Sequence, residues 1–239
     1  MTPPVITIDG PAGSGKTTLG RRLATTLGLP LVDTGLFYRG VMVAAARAGI
    51  GPDDREALID CARQTVVIID TDPSHDDADR AASVDGIEAG PALRDPANAP
   101  LLASMSSIPE VRALLLDAQR GLAHAGAVAV GRDCGTVVFP EAQLKLYLDA
   151  SESLRSQRRA SQLNGDADAD SALMRGEVGA RDRLDASRSA APMRPAPDAH
   201  VLDTGELGID EVAHTALELW AAVAGATGAH SPGGKPPTA

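Results

Sequence analysis

"ITIDGPAGSGKTTLGRRLATTLGLPLVDTGLFYRG", Ile6 to Gly40, is the stretch whose reading decides the fold. An apolar run stops at Asp9, a glycine-rich loop follows, and a lysine and two threonines open a helical pattern. Within it Gly10, Pro11, Ala12, Gly13, Ser14, Gly15, Lys16 and Thr17 fill every fixed position of the G-x4-GK-[ST] pattern. Glycines let the backbone N–H groups of such a loop converge on phosphate oxygens, and the following helix adds the positive end of its dipole. Lys16 is placed to reach the outer phosphates, and Thr17 to put its hydroxyl on Mg2+. Residue frequencies give a chance match in a chain of this length on the order of 1% of the time or less. The strand before and the helix after lower that further. A nucleoside triphosphate site is the reading.

Outward from the loop, strand and helix patterns alternate. Val5–Asp9 reads as a buried strand, 15–27 as a helix ended by Gly28, and Leu31–Asp33 as a second strand. Residues 36–47 and 53–63 read as helices, the second opened by the capping candidates Asp53 and Asp54. From Gln64 to Pro100 the character changes to short strand-like pieces and an acidic, turn-rich loop, read as an insert with its own small sheet. A helix is predicted from Pro109 to about 123, then strands in "AVAVGRD" and "LKLYLDA". Helices over 151–162 and 172–189, a last strand "HVLDT" and a closing helix over 209–223 complete the pattern. Five strands alternating with helices predict an α/β fold, a parallel sheet covered on both faces. Asp9, Asp33, Asp133 and Asp149 all fall at carboxyl ends of strands, where ligands sit in such sheets. The Pro/Gly-rich residues 226–239 are expected to be a disordered tail.

Composition narrows the function classes. The 239 residues suffice for one full α/β domain, and an apolar content of 44% is that of an ordinary globular protein. A net charge of −10 argues against wrapping nucleic acid. Cys61 and Cys134 do not make a disulfide scaffold. The start "MTPPVITIDG" shows no secretory leader, and no apolar run reaches membrane-spanning length. The expectation is a cytoplasmic monomer with neither nucleic-acid nor membrane partners.

Arginines are concentrated beside these strand ends. Arg39 follows Thr34 and Tyr38, Arg132 precedes Asp133, and Arg155, Arg158 and Arg159 lie within one turn of each other. Arg181, Asp185 and Arg188, spaced i, i+4, i+7, share one helical face. An isolated arginine is most often a solvated helix-face residue. Several beside a phosphate loop suit a different task, because bringing a triphosphate together with a second phosphate needs fixed cations to offset their repulsion. A phosphate acceptor is already ionised at neutral pH, so positioning and charge neutralisation matter more than a general base.

Here the sequence resembles the bacterial cytidylate kinases. The pieces that carry the likeness are "IDGPAGSGKTT", "LVDTGLFYRG", "VDGIEAGPALR", "SSIPEVRALLLDAQR", "GRDCGTVVFPEAQLKLYLDAS", "RDRLDASRSAAP" and "DAHVLDTGELGIDEV", in order over roughly residues 4–215. The resemblance implies the P-loop nucleoside monophosphate kinase fold, with a monophosphate-binding insert at about 60–105 and a mobile lid at about 155–185. It implies ATP as phosphoryl donor, with Mg2+, and CMP or dCMP as acceptor. It puts Gly10 to Thr18 on the ATP phosphates and Thr17 on the metal. Thr34, Arg39, Arg112, Arg132, Asp133, Arg181, Asp185 and Arg188 would surround CMP. Among these, Arg39, Arg132 and Arg188 would take its phosphate, Arg112 and Asp133 its cytosine, and Asp185 with Arg181 its ribose. Lys16, Arg155, Arg158 and Arg159 would act on the transferring phosphoryl, the last three from the lid.

Two positions depart from the family pattern. Ala103 stands where a serine usually helps to read the cytosine, with Ser104 and Ser106 the neighbouring hydroxyls. Leu184 stands where an arginine is frequent. Cys134 reads as a buried small apolar residue, His75 as part of a solvated loop, and His200 as structural. A phosphate-loop kinase for another small acceptor, or a non-catalytic nucleotide-binding regulator, are the alternatives. The retained lysine, threonine and arginine set speaks against the second.

Overall fold

The computed structural model describes residues 3–75, 82–164, 182–183, 185–186, 188 and 191–228. In it β1 (Val5–Asp9) runs into the phosphate loop, and α1 (Lys16–Leu27) leaves it. Leu19, Gly20, Leu23 and Ala24 form the buried stripe of α1, and Gly28 ends it in the left-handed conformation. β2 (Leu31–Asp33) leads into α2 (Gly35–Arg47). α3 (Arg55–Gln64) is capped by Asp54, whose carboxylate accepts from the Ala57 N–H at 3.1 Å.

The insert holds β3 (Val67–Ile69), β4 (Ala82–Val84) and β5 (Ile87–Glu88), paired antiparallel in that order. Two short 3-10 turns follow, then α4 (Ala99–Ser107) and α5 (Pro109–Gly121). The chain returns to the main sheet with β6 (Ala127–Gly131), a π-helical turn at Cys134–Val138, and β7 (Leu144–Asp149). α6 (Glu152–Asn164), β8 (His200–Asp203) and α7 (Ile209–Gly228) end the described fold.

The main sheet has five strands, all parallel, in the order β2-β6-β1-β7-β8. The strand that delivers the phosphate loop is therefore central. One face packs on α2, α4, α5 and the small sheet through Val32, Val41, Met42, Met105, Val111 and Ala129. The other packs on α1 and α7 through Ile6, Ile8, Leu23, Val130, Leu146 and Val212. Both faces buried explains why the strands read as near-continuous apolar runs.

The departures from the sequence reading are local. α4 was not expected: its serines break the helical stripe, and the element is short. α7 runs through Gly228, five residues past the expected Val223 and three residues into the segment expected as a disordered tail. The helix expected at 172–189 falls mainly outside the described residues; 182–183 and 185–186 are helical. Among the described residues no helix is long and apolar enough to cross a membrane.

Candidate active site

The phosphate loop starts where β1 stops, and two of its glycines, Gly10 and Gly13, are required by space. Gly10 has φ +144, and a Cβ there would stand 2.1 Å from the Leu148 carbonyl oxygen. Gly13 has φ +76, with the Arg155 carbonyl oxygen 2.5 Å from the place of a Cβ. Lys16 turns back over the loop and donates to the Pro11 carbonyl at 2.6 Å. Burial of its ammonium, and then the facing Arg132, push its pKa well below the ordinary lysine range, while Asp33, Asp9 and Asp182 act the other way. A polyanionic ligand at this position would restore the charge.

Two cavities flank the loop and share Gly13, Gly15 and Thr18. The larger, of about 590 Å3, lies between the loop, α2, the insert and the turn after β6. Among the described residues it is lined by seven cationic side chains, Lys16, Arg21, Arg39, Arg94, Arg112, Arg132 and Arg188, against three carboxylates, Asp33, Asp133 and Asp185. A chain of net charge −10 thus concentrates positive charge at one place. That is a site for phosphate.

The partners of these groups fix their directions. Arg132 donates through Nε to Asp185 at 2.9 Å and through a terminal nitrogen to the Gly10 carbonyl at 3.0 Å. Asp185 also takes Arg188, which donates to the Ser106 hydroxyl at 2.7 Å. Arg112 pairs with Asp133, donates to the Ser106 carbonyl at 3.1 Å, and lies 5.2 Å from the centre of the Tyr38 ring. Burial is the largest single influence on Arg112 and lowers its pKa, but Asp133, Tyr38 and Asp185 together outweigh it and the net shift is upward; for Arg188 burial prevails and the shift is downward. Burial pushes the Tyr38 phenol up to about 12. Thr34 donates to the Val130 carbonyl at 3.0 Å and fills the space beside Gly131, where a Cβ would meet its hydroxyl at 2.4 Å.

Arg39 donates to the Leu93 carbonyl at 2.6 Å, joining α2 to the insert. The insert therefore contributes to this cavity through Arg94, Leu102 and Ser106. Of the two hydroxyls beside Ala103, that of Ser106 is on a residue lining the cavity. The Ser104 hydroxyl is turned outward, donating to the Pro52 carbonyl at 2.5 Å.

The smaller cavity, of about 530 Å3, has the loop on one side and Leu148, Arg158, Thr204 and Leu207 on the other. Arg158 donates to the Thr204 hydroxyl at 3.0 Å and to its carbonyl at 2.7 Å. The Thr204 hydroxyl lies 3.2 Å from the Ser14 carbonyl, tying the end of β8 to the loop. A flat apolar wall beside a phosphate loop suits the base of a nucleotide donor.

Most predicted residues converge. Lys16, Thr17, Thr34, Arg39, Arg112, Arg132, Asp133, Asp185 and Arg188 line one cavity. Arg155 does not reach it. It is 7% exposed and lies against the loop, donating to the Ala150 and Ala12 carbonyls and pairing with Asp182, whose carboxylate accepts from the Ala12 N–H. Arg158 lines the smaller cavity instead. Both positions differ from a lid closing over the phosphoryl, because the first turns of α6 are packed on the loop. Arg181, the side chain of Arg159 and most of the expected lid lie outside the described residues.

Sequence reading left Arg21, Arg94 and Thr204 out of the site, and named Ser106 only together with Ser104 as a hydroxyl beside Ala103. Arg21 could have been found, since it lies one helical turn after Thr17 on the same face of α1. Arg94 and Ser106 depend on how the insert folds back, and nothing local announces that.

A parallel sheet of this order, with a phosphate loop at its central strand and a cationic cavity opposite, defines a P-loop kinase. The sequence profile of the cytidylate kinases matches residues 6–222, and the chain belongs to that family of nucleoside monophosphate kinases. It is 41% identical over 215 residues to the cytidylate kinase of Nocardia farcinica, covering 88% of this chain and 90% of that one. It is 43% identical over 218 residues to that of Methylocella silvestris, covering 90% and 93%. A crystal structure of an uncharacterized protein from Eubacterium ventriosum superposes with a TM-score of 0.50 at 12% identity, over 92% of this chain and 98% of that one, which bears on the fold alone.

Proposed function

We propose that this chain transfers the γ-phosphoryl group of ATP to CMP, and to dCMP, giving the diphosphate and ADP. The observation that carries this is the cationic cavity directly across the phosphate loop from a second, more apolar one. Donor and acceptor then meet at Lys16, with Arg132 and Arg188 on the acceptor phosphate. The Arg112–Asp133 pair presents a fixed donor and acceptor edge, which suits the amino and carbonyl groups of cytosine. Asp185, held by two arginines, is an acceptor for a ribose hydroxyl. Arg155 and Arg158 act from the donor side, Arg155 by holding the loop and Arg158 beside the donor base.

Catalysis here is positioning and charge neutralisation. The acceptor phosphate supplies the attacking oxygen already ionised, and Lys16 with the arginines stabilises charge spread over the transferring group. Mg2+ fits this site. Thr17 offers an exposed hard oxygen donor at the cavity wall, and among the described residues no cluster of three or more His, Cys, Asp or Glu forms a protein cage. Thr17 would hold Mg2+ together with the substrate phosphates, and the ion would supply charge neutralisation there. Residues 60–105 serve as the acceptor-binding insert, in a cytoplasmic monomer whose net charge of −10 disfavours nucleic acid.

The test is a coupled ADP-release assay with each nucleoside monophosphate in turn, with ATP and Mg2+. CMP and dCMP should be turned over best. Equal or better use of AMP would leave a kinase but overturn the cytidylate reading.

A further inference from the structure

Asp9 ends β1 immediately before the phosphate loop, is 4% exposed, and lines neither cavity. Its two oxygens accept from successive backbone N–H groups, Cys134 at 2.8 Å and Gly135 at 2.7 Å. Those residues follow directly on Arg132 and Asp133. The fit is close: a Cβ at Gly135 would stand 3.4 Å from Asp9 Oδ2 and 2.9 Å from the Thr7 hydroxyl. Arg132 adds a second tie one residue along, to the Gly10 carbonyl.

We propose that Asp9 is a positioning residue whose carboxylate clamps the turn bearing Arg132 and Asp133 to the strand bearing the phosphate loop, and so sets the acceptor relative to the donor. This rests on reading that turn as part of the acceptor site. Two N–H donors need two acceptors, and only the ionised carboxylate provides them. A neutral carboxyl or a carboxamide offers one acceptor and turns an O–H or N–H toward the other amide. The clamp therefore holds when Asp9 is charged and loosens when it is not. The groups around it are Asp133, Arg132 and the Cys134 thiol from the turn, Lys16 from α1, and Lys145 and Tyr147 from β7. Burial, against the two amide bonds and with a smaller push from Asp133, raises the Asp9 pKa to about 6.

Asp9→Asn tests the clamp by steady-state kinetics across pH. Losing hydrogen bonds to a charged group should lower kcat/KM for CMP roughly tenfold or more near neutrality, with KM for ATP within about twofold of wild type. The ratio of wild-type to variant kcat/KM should fall toward one as pH drops through about 6. Taking the ratio cancels the ionisation of the acceptor's own phosphate. A merely structural role would lower activity with the folded fraction, leave both KM values alone and keep the ratio constant with pH; that result overturns the proposal. Should the variant not fold, the wild type suffices: the Cys134 and Gly135 amide protons and the Arg132 Nε–H should titrate with one midpoint. An Arg132 resonance that stays still while the amides move overturns it. If the wild type does not use CMP, the substrate reading fails by itself, and these resonances still decide the clamp.

Discussion

Arg132 donates to the backbone carbonyl of Gly10 across 3.0 Å, although 122 positions separate the two in the chain. Gly10 opens the phosphate loop and Arg132 leaves the neighbouring strand, so adjacency of β1 and β6 brings the two together. The same guanidinium reaches Asp185, whose carboxylate also takes Arg188.

Lys16→Ala should leave a folded protein with kcat lowered roughly 100- to 1,000-fold, the loss that follows removal of one group aimed at transition-state charge. Circular dichroism and steady-state rates with saturating ATP and CMP check this. Near-normal turnover in a folded variant would contradict the assignment of the phosphate loop.

Asp185→Ala and Arg188→Ala should damage acceptor use selectively. Each removes a buried charged partner, at about 1.5–3 kcal/mol, or roughly tenfold to 150-fold in kcat/KM for CMP. KM for ATP should move by less than about threefold. If the Asp185 carboxylate reads the 2′-hydroxyl, its loss hurts CMP more than dCMP. Unchanged CMP kinetics in both variants would mean that this segment does not face the acceptor.

Thr204→Val should act on the opposite side. It keeps the shape but removes the hydroxyl that meets Arg158 and the Ser14 carbonyl, so KM for ATP should rise several-fold, as expected for one lost hydrogen bond of about 1 kcal/mol. CMP binding measured without ATP should be unaffected. A rise confined to KM for CMP would place the donor elsewhere.

Gly131→Ala should disturb fold and site together. The added methyl group would meet the Thr34 hydroxyl at 2.4 Å and the Cys134 sulfur at 2.6 Å, at a cost of about 1–3 kcal/mol in stability. Chemical denaturation measures that cost, and kcat/KM for CMP should fall with it. A variant as stable as wild type would show that the turn after β6 is more yielding than its packing indicates.

The pH dependence of stability has a definite sign at Asp9. Its folded-state pKa is raised from 3.8 to about 6, chiefly by burial, so the group's contribution to stability is full below the lower value. It is lost as pH rises through about 6, by roughly 3 kcal/mol in total at 1.36 kcal/mol per unit. Denaturation of wild type and Asp9→Asn between those limits should show wild type losing stability relative to the variant as pH rises. A wild type that gains on the variant instead would mean that the two amide bonds outweigh desolvation.

What the sequence by itself determined is local or periodic. The phosphate loop is legible because eight consecutive residues carry its geometry. Strands that are buried on both faces appear as apolar runs, and the turn "GRDC" sits at a strand end that the alternation of elements places correctly. The family likeness named candidate acceptor residues, and one cavity is lined by Thr34, Arg39, Arg112, Arg132, Asp133, Asp185 and Arg188. Only the tertiary structure decided the rest. Arg155 differs from a lid residue because the start of α6 packs on Gly13, a contact between segments that share no pattern. Ser106 rather than Ser104 lines the cationic cavity because α4 lays one side against α2 and turns the other to Pro52. Which of several hydroxyls or guanidiniums enters a site depends on the direction in which packed elements present them, and that direction is fixed by long-range burial rather than by neighbours in the chain.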